Sequence, residues 1–593
     1  MKRYDCVIMG AGFAGNCLAR HLKLHNPALT VALIDPRGNQ RGDRDLKVGE
    51  STIEIAALFL NKELGLVDYM SKHHVTKTGL HFHWPKKIDN TGTMDDYFSI
   101  WETSTGFVPT FNMNRAKFET DLLRMNMEMG VEFFPGHVVD FELTPGDTPH
   151  RVTVKLDDGQ VDIEADHLVD AAGHRFLIGR KVDNLIEDTE QLYGIRNGSA
   201  WLRVRGVDRD LFERAWNPER GVTSSFYATN HFFGHGHWVW MIPSASADDE
   251  LSVGVIYHKD KIPAKSLARR EQFLSFLQHN HNVLYKMVCS GHIVDFKIRR
   301  QVAYRSRRLM SNDNWYVVGD AAYNIDAFYS MGTSVAAMMI ECISQVVRDK
   351  VAGRDGAYRR CELYNDFNLA TAHLVNGLLR EHSDQIGNPS AMSWRTYLEL
   401  TWWFGFSLPI YVGRYHLNEK YIALVTKMTN TGQGDFFAEA IRSLGEIANR
   451  GLNIGMLDFG RADTLGFGHR PETDIGDYFV NTKFEMGRLN LFSAMGHATR
   501  YSILWYLKLH WRAGGLPAIL RPRIASTVAK LTLQSLGLGI LATVHRLETR
   551  RRPNNREISE LHREFAGYRP HKHLRPWFAA SEESDEQKVS PAA

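Results

Sequence analysis

The chain has 593 residues, 44% of them apolar and 23% charged, with a formal net charge of +3. That length supports a large core and two or three domains, and with so slight a charge nothing suggests a nucleic-acid binder, which needs a concentrated basic face. Five scattered cysteines (Cys6, Cys17, Cys289, Cys342, Cys361) form no C-x-x-C pair and no framework spacing, so a reducing, cytoplasmic setting is expected. With the first strand beginning at once, no signal peptide is expected, and no run of about eighteen apolar residues marks a membrane span.

The first element is a short apolar run, Val7-Ile8-Met9, that reads as a buried parallel strand. It breaks at Gly10, Gly12 and Gly15, and a helical pattern then runs through Leu18, Ala19, Leu22 and Leu24. A second apolar run, 31–34, ends in Asp35. Strand, G-x-G-x-x-G, helix, strand and terminal acid, in that order, form a dinucleotide-binding fingerprint. Gly10 permits the tight turn, Gly12 lets a pyrophosphate approach the backbone, and Gly15 lets helix and strand pack closely. The phosphates are expected on free N–H groups at the positive end of the helix, and Asp35 is expected to accept hydrogen bonds from a ribose.

A polar, Gly-rich loop follows, and Gly49-Glu50-Ser51 leads into a helix carrying Ile55, Leu58, Leu60 and Leu64, with Ser51 or Thr52 as its N-cap. Residues 76–84 alternate as a strand, with Leu80, Phe82 and Trp84 on one face and His81 and His83 on the other. The two histidines have no third ligand at a recognisable spacing, so no metal is expected. Lys77, just before this strand, reads by itself as a solvated lysine. Arg115 opens a helix, residues 131–139 form a strand, and a hairpin turns at Asp157-Asp158-Gly159. Residues 166–173 are an apolar strand that ends in small residues and returns to the glycine loop.

This order gives an α/β fold: an FAD-binding, Rossmann-like domain of the two-dinucleotide-fold, aromatic-hydroxylase type. Alternating segments at 200–204 and 252–257 add an antiparallel sheet that covers the flavin and forms the substrate region. Within it, Trp238 and Trp240 share one face of a strand that Pro243 ends. His231, His235 and His237 are read as turn and surface histidines. A later strand closes on Gly319-Asp320, which offers a carboxylate to a ribityl or ribose hydroxyl. Ser330-Met331-Gly332 then opens a long helix whose first N–H groups face a ring edge that turns anionic on reduction.

Beyond residue 345 helical patterns with aromatic clusters dominate, so three regions are expected: 1–345 for FAD and substrate, 346–580 as a C-terminal helical domain, and 581–593 as a polar, disordered tail. Residues 530–552 are amphipathic. They are expected to pack on the helical domain with a solvated basic end, in preference to resting on a membrane surface. A second glycine fingerprint is absent from the sequence, so no tightly bound NAD(P)H is expected.

Several motifs stand in one order: Gly10-x-Gly-x-x-Gly15, Gly49-Glu-Ser51, Lys77 seven residues before Trp84, Trp238-x-Trp-x-Ile-Pro243, Gly319-Asp320 and Ser330-x-Gly332. Together they resemble the flavin-dependent halogenases, and more closely the members acting on phenols and pyrroles than those acting on free tryptophan. The resemblance covers residues 1–345 and rests most on the W-x-W-x-I-P hexapeptide. It implies an oxidoreductase that receives FADH2 from a separate flavin reductase and forms a flavin C4a-hydroperoxide with oxygen. That species oxidises chloride or bromide to hypohalous acid, which travels a tunnel to Lys77. There the acid halogenates an electron-rich aromatic, either free or tethered to a carrier protein. The implied cofactor contacts are Gly10, Gly12, Gly15, Asp35, Glu50, Ser51, Arg115, Asp320 and Gly332. Trp238 and Trp240 would wall off the flavin, and the backbone near Ser330, Met331 and Gly332 would hold the halide. The chain departs from the family pattern at Asn324 and Ala327, where a phenylalanine and a proline are usual. A polar Asn324 is expected to alter halide desolvation, and Ala327 to free the loop. The alternatives are a flavin monooxygenase that hydroxylates without halide on the same scaffold, and a non-catalytic FAD-stabilised binding module.

Overall fold

A computed structural model describes residues 1–37, 48, 50–77, 79–102, 110–213, 225–244, 250–428, 434–457 and 490–551. The expected strand, turn and helix at the N-terminus are Lys2–Met9 and Phe13–His25, followed by the strand Val31–Ile34. The first strand enters with exposed Lys2 and Arg3, but its second half and the strand Val31–Ile34 are apolar, as a sheet covered on both faces requires, and Cys6, Val7, Ile8, Ala32 and Leu33 are fully buried there. The sheet runs in the order Glu132–Phe134, Val31–Ile34, Lys2–Met9, Gly159–Asp170, His150–Leu156, His137–Glu142, and Trp315–Val317 adds to it in parallel beside Gly159–Asp170. Its parallel strands all end at the same rim, where Gly10, Asp35, Ala171 and Gly319 follow in sequence. In open parallel sheets such a rim is where a ligand binds.

The second sheet also has seven strands, from His292–Arg299 through Asn197–Arg205, Leu251–His258, His237–Pro243, Thr229–Gly234 and Leu80–Pro85 to Tyr97–Glu102. It is antiparallel except where Thr229–Gly234 runs parallel to Leu80–Pro85. Both faces of its central strands are covered, so every residue of Leu251–His258 is buried.

The expected boundary at 345/346 falls inside one continuous helix, Met331–Val351. One hydrophobic core joins both sides of it, with Ile8, Phe82 and Trp238 from the first region and Trp394, Tyr411 and Trp505 from the second. The helical region is therefore packed directly on the nucleotide fold and shares its core. It ends, among the described residues, in two long helices, Leu491–Ile519 and Pro522–Arg551. The tail 581–593 lies outside the described residues, as does Gly49.

Two described stretches are long and apolar enough to cross a membrane by length and composition. Phe328–Val351 is 78% buried and is a core helix. Pro522–Glu548 is only 17% buried. The reading that no such stretch exists is corrected for this second helix, because polar residues interrupt the run without filling one face; the expected packing on the helical domain holds along its inner side, where Leu531, Leu538 and Ala542 are buried.

Candidate active site

A cavity of about 830 Å³ opens at the rim of the parallel strands. Gly10 has φ +111°, and a Cβ there would meet the Ala171 carbonyl oxygen at 2.4 Å; a Cβ on Gly15 would meet the Gly10 carbonyl oxygen at 1.9 Å. Both glycines are dictated by backbone packing. At Gly12 the nearest atom to a Cβ would be Glu119 Oε1 at 3.8 Å, so this edge of the loop stays open for approach. The Asp35 carboxylate accepts from the Ala11 N–H at 2.9 Å and from Arg37 Nη2 at 2.8 Å. It thus ties the end of the second strand to the glycine loop while lining the cavity.

Arg115 donates to Glu119 Oε1 at 2.7 Å and pairs with Glu50. Glu119 also accepts the Phe13 N–H at 3.1 Å, one of the otherwise unpaired donors in the first helical turn. Burial pushes the Glu50 carboxyl up, with Arg115 opposing it. Desolvation disfavours the charged form of Arg115, but Glu50 and Glu119 outweigh it and hold the guanidinium up. At another part of the lining, Asp320 Oδ2 lies 3.5 Å from His174 Nε2. Burial lowers His174 to about 4, so its ring is neutral at pH 7. Arg37, Arg115, Lys297 and Arg299 all reach the cavity, a set of cations suited to a doubly anionic pyrophosphate.

Trp238 and Trp240 project from the strand His237–Pro243 into the same cavity, as alternation requires. Trp240 Nε1 donates to Ser252 Oγ at 3.1 Å, and its ring lies over Gly254, where a Cβ would come within 2.1 Å of Cζ2. Trp238 Nε1 donates to Asp326 Oδ1 at 3.1 Å. Asp326 also accepts the Phe328 N–H at 3.0 Å and Asn197 Nδ2 at 3.2 Å. The loop holding Asn324 and Ala327 is therefore pinned by a half-buried carboxylate, which corrects the expectation that Ala327 leaves it free. After that loop, Tyr329 and Ser330 both have left-handed backbones, φ 60° and 57°. Such conformations cost about 1–3 kcal/mol each in residues other than glycine and persist where the surroundings enforce them.

This strained turn is a partition. Ser330 and Gly332 line the large cavity, while Tyr329 and Met331 line a second, mainly apolar one of about 90 Å³. A Cβ on Gly332 would meet nothing within 4 Å, so the start of the helix Met331–Val351 is open on the large-cavity side. Lys77 lines the small cavity. It is 5% exposed, and its Nζ donates to the Thr52 carbonyl at 3.0 Å. The reading of Lys77 as a solvated lysine is overturned.

Much of the small cavity comes from the helical region: Phe367, Glu399, Trp403, Phe404 and Phe437 are among its walls. Tyr329 donates its hydroxyl to Glu399 Oε2 at 2.6 Å, and Arg395 Nε donates to Oε1 at 2.9 Å. Burial pushes the Glu399 carboxyl up despite Arg395. Trp403 Nε1 donates to Glu54 Oε2 at 2.8 Å, clamping the helical region beside Lys77.

Two further expectations change. Ser51 and Thr52 do not cap the next helix, which begins at Glu54 with Ile53 in the cap position. Ser51 pairs with Thr229 at 2.6 Å and lines the large cavity, and Thr52 Oγ1 accepts the Phe111 N–H at 2.7 Å. His231 and His237 are buried strand residues, because the sheet is covered on both sides; His235 alone of the three sits exposed in the turn. His83 is committed to Ser99 and Asn230 at 2.7 and 2.9 Å.

Comparison with known proteins settles the family. A model of the family described as tryptophan halogenase matches residues 93–382. A flavin-dependent halogenase, chlA, of Dictyostelium discoideum is 34% identical over 592 residues, covering 96% of this chain and 97% of its own length. The chain belongs to the flavin-dependent halogenases. The 1H-pyrrole-2-carbonyl-[peptidyl-carrier protein] chlorinase of Pseudomonas fluorescens is 25% identical over 383 residues, 59% of this chain and 77% of that one. A structure of the halogenase PltM in complex with phloroglucinol and FAD superposes with a TM-score of 0.58 at 15% identity, covering 90% of this chain and 96% of that one. That likeness is one of fold.

As a flavin-dependent halogenase the enzyme is an oxidoreductase that uses FAD, with halide as co-substrate. The large cavity fits that cofactor. Backbone carbonyls fill the Cβ positions of Gly10 and Gly15, Gly12 leaves its side open, cations surround the cavity, and two indoles form an apolar wall. Eight of the nine expected cofactor residues line it (Gly10, Gly12, Asp35, Glu50, Ser51, Arg115, Asp320 and Gly332), and Gly15 is packed directly behind the loop. Arg37, Glu119 and Asp326 escaped the sequence reading, as did Glu399 and the aromatic walls of the halogenase's small cavity. A buried Glu in the otherwise apolar run around Trp402 was the one signal available for Glu399.

Proposed function

We propose that this halogenase modifies an electron-rich phenol or pyrrole-type ring, free or held on a carrier protein, at Lys77. The observation that carries the reading is the pair of cavities divided by Tyr329–Ser330, with the tryptophans on one side and Lys77 on the other. The large cavity would hold FAD, delivered reduced by a separate flavin reductase; bound there, it would activate molecular oxygen, the two-electron oxidant that turns halide into hypohalous acid. The first-turn N–H groups at Met331 and Gly332 offer halide a positive helix terminus. Trp238 and Trp240 exclude water and substrate from the flavin side.

Lys77 then holds hypohalous acid by its ammonium against the ring. The oxygen–halogen bond breaks, the ring carbon takes the halogen, and the ring proton leaves with the hydroxide as water. Glu399 and Glu54 supply acceptors for a substrate hydroxyl or ring N–H, and the aromatic walls orient the ring. Carrier tethering draws support from the chlorinase of Pseudomonas fluorescens, whose own substrate is carrier-bound. The test is mass spectrometry of product with FAD, a reductase, NADH and either chloride or bromide, on phenols and carrier-bound pyrroles. Halide-dependent product that Lys77→Ala abolishes supports the reading; one added oxygen without halide overturns it.

A further inference from the structure

Of the two apolar stretches long enough to span a bilayer, Pro522–Glu548 is the one left mostly exposed among the described residues. Its side chains divide into two opposite apolar faces, with about 100° between successive residues. Ile524, Leu531, Leu538 and Ala542 form the inner face and are buried. Leu533, Leu536, Ile540, Val544 and Leu547 recur every third or fourth residue on the outer face; Leu533 is 70% exposed, Ile540 66% and Leu536 63%. Trp511, Leu516 and Leu520, near the connection to the preceding helix, add three more large exposed apolar side chains. Contiguous apolar surface on this scale marks an interaction site.

The helix cannot leave the fold to span a membrane, because its inner side is bonded into the domain. Asn490 Nδ2 donates to the Ala542 carbonyl at 2.8 Å, and Lys420 pairs with Glu548 at 2.7 Å. It can only lie flat. Its charge names what it lies on: residues 491–551 hold nine lysines and arginines and a single acid, Glu548. A second copy of the chain would bring an equally basic surface against the first. An anionic lipid surface takes the leucines into its acyl boundary and the arginines and Trp511 at its headgroups.

We propose that the outer face of the Pro522–Arg551 helix docks the enzyme, in plane, on membranes rich in acidic phospholipid. The test is flotation of the full-length, FAD-loaded chain with vesicles of phosphatidylcholine alone or with about a third phosphatidylserine. The expected result is at least tenfold more protein on the anionic vesicles, falling as salt is raised to about 0.5 M. In the double variant Leu536→Glu with Ile540→Glu, flotation is lost while flavin absorbance and halogenation of a soluble substrate stay unchanged. Failure of the parent chain to float, equal flotation on neutral vesicles, or unchanged flotation of the variant overturns the proposal. So does a concentration-dependent dimer of the parent in lipid-free sedimentation that the variant lacks, since the face would then belong to a second copy.

Discussion

Replacing Asp326 with asparagine probes the carboxylate that pins the loop beside Ala327. The carboxylate holds the Trp238 indole, the Phe328 amide and Asn197 together, and burial raises its pKa from the ordinary 3.8 to about 6. At about 1.4 kcal/mol per pH unit, ionising it in the folded protein costs about 3 kcal/mol more than in the unfolded chain. Between those two values the native state holds a proton that the unfolded state has released, so stability falls as pH rises, and the full cost is present above about 6. Asparagine carries no such cost. Its amide nitrogen faces the Asn197 donor, a pH-independent loss of about 1 kcal/mol, so the slope and not the level is diagnostic. Urea midpoints of the FAD-loaded parent and Asp326→Asn, measured from about pH 4.5 to about pH 7.5, should show the variant gaining about 2 kcal/mol relative to the parent across that interval. Asp170, buried and likewise raised to about 6, contributes equally to both proteins and cancels. Parallel pH profiles would refute the reasoning, because Asp326 would then ionise freely in the fold.

Other perturbations follow from the same geometry. Lys77→Met, which keeps most of the volume in the small cavity, should lower halogenated product by about 100-fold or more while flavin absorbance is unchanged. Gly254→Ala puts a methyl 2.1 Å from the Trp240 ring; about 1–3 kcal/mol of destabilisation and weaker FAD retention are expected, read by thermal shift and flavin titration. Tyr329→Phe removes the 2.6 Å bond to Glu399, leaving a buried carboxylate short of a donor. It should destabilise by about 1–3 kcal/mol and reduce turnover without changing FAD affinity. Gly10→Ala forces φ +111° on an L-residue against the Ala171 carbonyl, so the soluble fraction should lose bound flavin altogether.

The nucleotide half of the site was legible because its logic is local. Gly10, Gly12, Gly15 and Asp35 sit at spacings set by one strand–turn–helix unit, and Trp238 and Trp240 share a face because strand side chains alternate. Misreadings occurred where the answer depended on what packs against a segment. His231 and His237 look like turn residues until the sheet is covered from both sides. Ser51 looks like a cap until Thr229, 178 positions away, takes its hydroxyl. The loop at Ala327 looks loose until Asp326 is seen holding three donors.

By itself, the amino-acid order determined the cofactor fold, since that is written in a short motif whose geometry follows from neighbouring φ and ψ angles, and it pointed to the family chemistry through the resemblance its motifs carry. Only the tertiary structure decided where the substrate chemistry stands. Lys77 becomes a buried lysine because Glu54 and Trp403, 349 residues apart in the chain, close over its cavity together with Glu399. Burial is a property of that assembly, and no window of sequence contains it.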